Sequence, residues 1–383
     1  MINLKYSIYA DKMLLGDEWQ NDVVVQVCEE KIESIMIGQK ADADYHFAYL
    51  TPGIIDNHIH GGDLFHIHEA SVDSMEAWLL QLAKAGVAAI MLTTYGSYEQ
   101  IRRGLFITKE VMKRQREGSI GGALLIGVHL EGPFFNINRR GAIDETSILI
   151  PSVAEYCLLI EGYEDIIKEI SLAPEMEGAE ELIKYLKKQD IKVIAGHTDC
   201  TYDKALKAFS WGVGGICHTF NGARPVHHRE PGIVVAALLE PQIYCEFIGD
   251  LEHLHAGIIR LMMQCKGNKK LMLISDGVKT TNCPDGIYKN GTELIEVKNG
   301  VSRDLEKRYL CGGGCYSPQS VKRLVEVGID FKDTILAASI NPARWIGLDY
   351  MPEPDKTVFL EGWSDQCKPV NVFLKGSIYE CTS

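Results

Sequence analysis

The run GIIDNHIH (53–60) ends in two histidines one residue apart, His58 and His60, and the run ALLIGVHLE (123–131) ends in a glutamate. In an extended chain, side chains two apart point to the same face, so both imidazoles of His-Ile-His aim at one place. Three more apolar runs finish the same way: KVIAGHT (192–198) carries His197, GGICHTF (214–220) carries His218, and KLMLISD (270–276) carries Asp276. Neutral imidazole and carboxylate suit zinc, iron(II) or a similar divalent ion. Glu131, set among apolar residues and pressed against Gly132-Pro133, is costly to bury unless paired, hydrogen-bonded or metal-bound. It therefore reads as the start of a surface loop, one half of a buried ion pair, or a metal ligand. A single histidine at a strand end is more often structural; five His/Glu groups and one Asp at the same end of successive strands favour a metal site. Beside a metal-activated water, Asp276 is the natural acid/base, taking a proton during attack and passing it to a leaving amine. A turn role competes for Asp276, because Asp-Gly favours turns. His66 and His68 in FHIHEAS lie beyond the strand and read as ordinary loop residues.

The elements that must position these groups are compact. Eight apolar runs, GIIDNHIH, AAIMLTT, ALLIGVHLE, EISLAPE, KVIAGHT, GGICHTF, YCEFIGD and KLMLISD, have the length and composition of strands buried on both faces. Helical stretches such as SMEAWLLQLAKAG separate most of them, which predicts a (β/α)8 barrel over residues 51–348. The short strand-like segments of residues 1–50 and 349–383 are expected to form one small β-sandwich domain from both chain ends. In such barrels the C-terminal rim of the strands is where catalytic groups gather.

Composition narrows the partners. The 383 residues are 46% hydrophobic and 24% charged, with a formal net charge of −13 and no Lys/Arg-rich block, which argues against nucleic acid and anionic membranes. Eleven cysteines are scattered singly apart from Cys311-Gly-Gly-Gly-Cys315, poor evidence for a disulfide framework. They read as buried thiols; a metal at the CxxxC lacks a second Cys/His pair at zinc-finger spacing. The N-terminal segment has no uninterrupted apolar core of a signal peptide, and no run approaches the ~20 apolar residues of a membrane span, so a cytoplasmic protein is expected.

Taken in order, PGIIDNHIHGG, GVHLEGPFF, LAPE, AGHT, HTFNGARPVHHREPG, SDG and NPARWIGL resemble the N-acetylglucosamine-6-phosphate deacetylases of the amidohydrolase superfamily, from about Pro52 to Leu348. HLEGPF and the FNGA…REPG stretch are specific; HxH marks the wider superfamily and NPA is weak. The resemblance implies a deformed barrel with a β-sandwich and metal-dependent release of acetate from N-acetylglucosamine 6-phosphate. It implies Glu131, His197 and His218 as ligands of the principal metal, with His58 and His60 matching members that hold a second ion. Asp276 matches the catalytic aspartate, and Asn221 and Arg229 match residues that grip the phosphate. Gly222, His253 and Ala142 complete the implied substrate contacts. The family arginine reaches across a dimer interface, implying a homodimer.

The departures fall on the substrate wall. A histidine usual after Gly-Ala is replaced in Gly141-Ala142-Ile143, Asp-Gly-x-His becomes Asp250-Leu251-Glu252-His253, and Thr-Asp-Ala becomes Ser275-Asp276-Gly277. Rival readings are a deacetylase of a related sugar such as the galactosamine epimer, another amidohydrolase, and a non-catalytic metal-binding barrel. Many other amidohydrolases bridge two metals with a carboxylated lysine at the fourth strand's end. That strand here ends Leu172-Ala173-Pro174-Glu175, without a lysine.

Overall fold

The structure, a computed structural model, describes residues 5–38, 42–290 and 293–382. The eight apolar runs form eight parallel strands hydrogen-bonded in chain order: β1 (Ile54–Ile59), β2 (Val87–Thr94), β3 (Leu124–Glu131), β4 (Ile167–Leu172), β5 (Lys192–Ala195), β6 (Val213–Ile216), β7 (Tyr244–Ile248) and β8 (Leu271–Ile274). Every residue of β1, β2 and β8 is buried, which is why these strands show no polar alternation. Helices cover the outside. Val72–Lys84 buries Met75, Trp78, Leu79 and Leu82 at three- and four-residue spacing and starts on a capping box between Ser71 and Ser74.

The barrel closes at a narrow seam. β8 meets β1 beyond its regular end, through an isolated parallel bridge between Gly277 and Ile59. There the Gly277 carbonyl accepts the N–H of His60 at 2.7 Å and of Gly61 at 3.0 Å, and the His58 carbonyl accepts the N–H of Asp276 at 2.9 Å. Asp56, fully buried in β1, secures the seam further down by accepting the Ser275 N–H at 3.2 Å and the Ser317 hydroxyl at 2.9 Å. Burial pushes the Asp56 carboxyl up to about 6, despite these hydrogen bonds. At the opposite mouth the helix Asn341–Ile346 acts as a plug: Asn341 donates to the carbonyls of Asn268 and Leu271, and Trp345 packs with Ile194, Cys217 and Met272.

Both chain ends feed one seven-stranded sheet, in spatial order Ser377–Glu380, Pro369–Leu374, Phe359–Trp363, Tyr45–Pro52, Lys5–Leu15, Glu18–Cys28 and Lys31–Ile37. It makes the terminal β-sandwich around Ile8, Val25, Leu50, Leu360 and Phe373. The strand Lys5–Leu15 carries an exposed Asp11-Lys12 pair, and its pairing keeps one register on both sides of Asp11. A further antiparallel sheet, Gly286–Asn290, Glu293–Lys298 and Val301–Asp304, has no counterpart in the sequence reading. Its hairpin signal was present: Asn299-Gly300 takes positive φ at both residues, as a tight hairpin turn requires. The eleven cysteines are free; Cys157 and Cys265 are exposed rather than buried.

The terminal sheet is fastened to the barrel by Trp363. Its ring is fully buried within the barrel's main hydrophobic cluster, 5.5 Å from Phe331 centroid to centroid, and Nε1 donates to Thr51 Oγ1 at 2.9 Å. Trp363→Ala is expected to cost about 3–5 kcal/mol in urea unfolding, as a cavity of that size does. A loss under about 1 kcal/mol would show that the ring does not join the two units.

Candidate metal centre

β1, β3, β5, β6 and β8 deliver their terminal polar residues to one point at the C-terminal rim. Glu131 Oε1 lies 3.2 Å from His197 Nε2, 3.2 Å from His218 Nε2 and 3.6 Å from His58 Nε2, and its Oε2 lies 3.4 Å from His60 Nε2. Asp276 Oδ1 stands 3.4 Å from His58 Nε2 and 3.3 Å from His60 Nε2. All six sequence-derived candidates are thus brought together, with Glu131 shared between the two groups. The spacing itself is informative. Ligands held at 2.0–2.1 Å in a tetrahedron stand roughly 3.3–3.4 Å apart, the separation of these donor atoms.

The histidines are wired for coordination. Each has its Nδ1 turned outward to an acceptor: His60 to the Thr93 carbonyl at 3.2 Å, His197 to the Arg139 carbonyl at 2.9 Å, His218 to the Asn221 carbonyl at 3.0 Å, and His58 to Glu246 Oε2 at 3.3 Å. An imidazole that donates from Nδ1 presents its Nε2 lone pair, and all four Nε2 atoms face Glu131. This donor set fits a divalent ion.

Electrostatics agree. Burial would raise Glu131, but hydrogen bonds from His197 and His218 and the charges of His58 and His60 outweigh it and hold the carboxyl well below its usual range. Burial would lower His58, yet the charges of Asp276, Glu131 and Glu246 together raise it to about 10. Asp276 is lowered from the ordinary carboxylate range, the histidine charges outweighing burial, and so it is ionised. It is also the more accessible carboxylate, with 17% of its side chain exposed against 7% for Glu131.

Local backbone is bent to make this arrangement. His197, His218 and Asp276 sit just past their strands with φ of 46°, 26° and 49°. For residues other than glycine such conformations cost of order 1–3 kcal/mol and gather at functional sites. Two glycines make room. Gly132 has φ 88°, and a Cβ there would meet the Phe135 ring at 2.5 Å; this accounts for the glycine after Glu131. Gly222, φ 57°, passes so close that a Cβ would lie 3.1 Å from His197 Nδ1.

Beneath the rim the barrel interior is polar where packed aliphatic layers are usual. His129, Glu169 and Glu246 are fully buried; Glu169 Oε1 lies 3.4 Å from His129 Nδ1, and Glu169 also accepts from Trp345 Nε1. Burial, with the charge of Glu246 beside it, pushes Glu169 well above the usual carboxyl range, so it is protonated. Burial and the charge of His58 hold His129 well below its ordinary value, so it is neutral. Sequence reasoning passed over Glu169 and Glu246, although a lone charged residue inside EISL or YCEFI was a visible signal. His66 is not an ordinary loop residue: it is 5% exposed, and its Nδ1 accepts the His68 N–H.

A cavity of about 430 Å³ opens over the cluster, lined by Ala142, Ile143, Asn221, Gly222, His253 and Lys279 together with the metal-site residues. His253 is fixed by a 2.9 Å hydrogen bond from Nδ1 to Asp250 Oδ2. Ile143 puts an apolar wall on this cavity. Arg229 does not reach this cavity in its own chain. It is exposed, with Nη1 2.7 Å from His228 Nε2, and lines a separate cleft with Arg224 and Glu230. Glu230 pairs with Arg224 at 3.3 Å.

Residues 49–378 match the model of the amidohydrolase family. The chain belongs to the amidohydrolase family. It is 33% identical over 348 residues to an N-acetylglucosamine-6-phosphate deacetylase of Vibrio furnissii, covering 89% of this chain and 86% of that one. It is 29% identical over 348 residues to an N-acetylgalactosamine-6-phosphate deacetylase of Escherichia coli O157:H7, covering 90% and 91%. Among solved structures, an N-acetyl-D-glucosamine-6-phosphate deacetylase of Mycobacterium smegmatis in complex with N-acetyl-D-glucosamine-6-phosphate superposes with a TM-score of 0.88. It is 26% identical and covers 98% of this chain and 99% of that one. This amidohydrolase is therefore an enzyme of the hydrolase class, and no described helix is long and apolar enough to cross a membrane.

The raised value of His58 predicts a pH dependence. In the metal-free protein it contributes stability that is complete below the ordinary 6.5 and fades as pH rises toward about 10. A metal must displace that proton, so apparent affinity should climb roughly tenfold per pH unit between about pH 6.5 and 9. Competition against a chromogenic chelator measures this; a flat profile would remove His58 from the ligands. In the same assay Glu131→Gln should lose most of its metal, and unchanged binding would exclude Glu131.

Proposed function

We propose that this chain removes the acetyl group from an N-acetylhexosamine 6-phosphate, with N-acetylglucosamine 6-phosphate as first substrate. The observation that carries the reading is Glu131 encircled by four histidine Nε2 atoms, with the ionised Asp276 beside two of them at the floor of the cavity. Glu131, His197 and His218 would hold a divalent ion, zinc or iron(II), and His58 and His60 a second; such an ion would supply a water of lowered pKa and a polarised carbonyl. Asp276 accepts the proton of the water that adds to the amide carbon. It then passes that proton to the nitrogen as the C–N bond breaks, releasing acetate and the free amine. Ile143 offers no donor to the carbonyl oxygen, so the wall on that side excludes water and shapes the pocket. The similarity to the N-acetylgalactosamine-6-phosphate deacetylase supports the galactosamine epimer as a second substrate.

Acetate release from both N-acetylated 6-phosphates and their unphosphorylated sugars tests the reading. Asp276→Asn keeps shape but cannot take the proton; it should retain metal while kcat falls about 10²–10⁴-fold. A near-normal kcat would sink the role of Asp276, and no turnover by the wild-type enzyme on any of the panel would sink the reaction.

A cationic side chain strengthens the grip on a phosphate dianion. Among the described residues the cavity wall of one chain carries one lysine or arginine, Lys279, and Glu69 already engages its Nζ at 2.6 Å. We place Asn221 and Gly222 on the phosphate from the same chain and Arg229 from a second copy, in a homodimer. A guanidinium suits this because it pairs with phosphate bidentately. Arg229→Ala should raise KM for the phosphorylated sugar about 10–100-fold, the worth of one charged hydrogen bond, and leave the unphosphorylated sugar unchanged. Equal losses on both, or full activity in a protein that sediments as a monomer, would overturn it.

A further inference from the structure

Three of the four site histidines lean on backbone carbonyls. His58 leans on a side chain, and that side chain does more than one thing. Glu246, fully buried in the middle of β7, points Oε2 at His58 Nδ1 from 3.3 Å and accepts the backbone N–H of His218 on the same oxygen, also at 3.3 Å. Its own carbonyl accepts the Thr219 N–H at 2.8 Å. One residue on the strand between β6 and β8 thus holds the imidazole from β1 and brackets the backbone of His218, where φ is 26°.

We propose that Glu246 is the positioning residue of the metal centre: by accepting the His58 Nδ1 proton it turns Nε2 toward Glu131 and Asp276, and it locks the bend that presents His218. The inference rests on the reading that this cluster holds a metal ion. Backbone carbonyls are present whatever the side chain, but a carboxylate on a side chain is a choice of this sequence, and it makes the bound imidazole a stronger electron donor. Among the described residues nothing else around His58 replaces it. Cys217 Sγ, 3.4 Å from Nδ1, is a weak partner, and the His129 ring stands edge to face at 4.6 Å.

The experiment compares wild type, Glu246→Gln and Glu246→Leu, each stripped of metal and titrated with zinc alone. Gln keeps an acceptor oxygen and should bind within a few-fold of wild type. Leu keeps the bulk but accepts nothing, and should bind about 10–100-fold more weakly, as loss of such partners does. Imidazole nitrogen spectra of the zinc-loaded wild type should show the His58 proton on Nδ1, identified by its loss in His58→Asn. The signal should persist in Glu246→Gln and vanish in Glu246→Leu. If the leucine variant does not fold, the wild-type and glutamine spectra carry the test. A His58 proton on Nε2, or equal zinc affinity in folded Glu246→Leu, overturns the proposal. A wild-type protein that takes up no zinc overturns instead the metal reading beneath it.

Discussion

A carboxylate buried in a protein must be answered by charge or by hydrogen bonds, and Glu131 is the point on which this structure turns. Removed from water with 7% of its side chain exposed, it is tolerable only because four imidazoles face it. Those imidazoles come from β1, β5 and β6, so satisfying one acid obliges distant parts of the chain to meet at the barrel rim. The histidines in turn are held by groups behind them, three carbonyls and the Glu246 carboxylate. The fold supplies the answer to Glu131 in two layers.

The place where this happens is also where the barrel closes. The sheet is continuous from β1 to β8, but the last contact is a short bridge at Gly277 rather than a full ladder. His58, His60 and Asp276 are among the residues whose backbone makes that closure. Seam and site therefore share atoms: bringing Asp276 to the two histidines and closing the barrel are one event. The left-handed backbone at His197, His218 and Asp276 is strain that the surrounding packing sustains, and it aims short side chains across the mouth where a regular strand would point them along it.

The peripheral elements serve this centre at one remove. The plug helix packs Trp345 against Ile194, Cys217 and Met272 at the far mouth and supplies the partner of Glu169. The terminal sheet clamps the first strand: Glu361 Oε2 accepts the Ile54 N–H at 3.1 Å, fixing the start of β1. The added antiparallel sheet contributes Asn290 and Ile295 to the cavity wall, which places part of the pocket on an element outside the barrel repeat.

The sequence by itself determined the barrel and which polar residues gather at its rim. Apolar runs too long for loops and too short for spans admit few architectures, and a polar residue at the end of each has only the rim to occupy. Glu131, His58, His60, His197, His218 and Asp276 were legible for that reason. What the tertiary structure decided is which groups stand behind them. Glu246 and Glu169 lie inside strands, where sequence marks a charge as an anomaly but cannot say what it faces; His58 is 188 positions away from Glu246 along the chain. The three-stranded sheet escaped notice because polar and charged residues outnumber its few apolar ones and imitate a loop until Asn299-Gly300 folds the strands together. Arg229 shows the same division. Its residue type was plain, but only the folded chain shows that its guanidinium stands outside the cavity of its own subunit, because reach depends on where a loop turns in space.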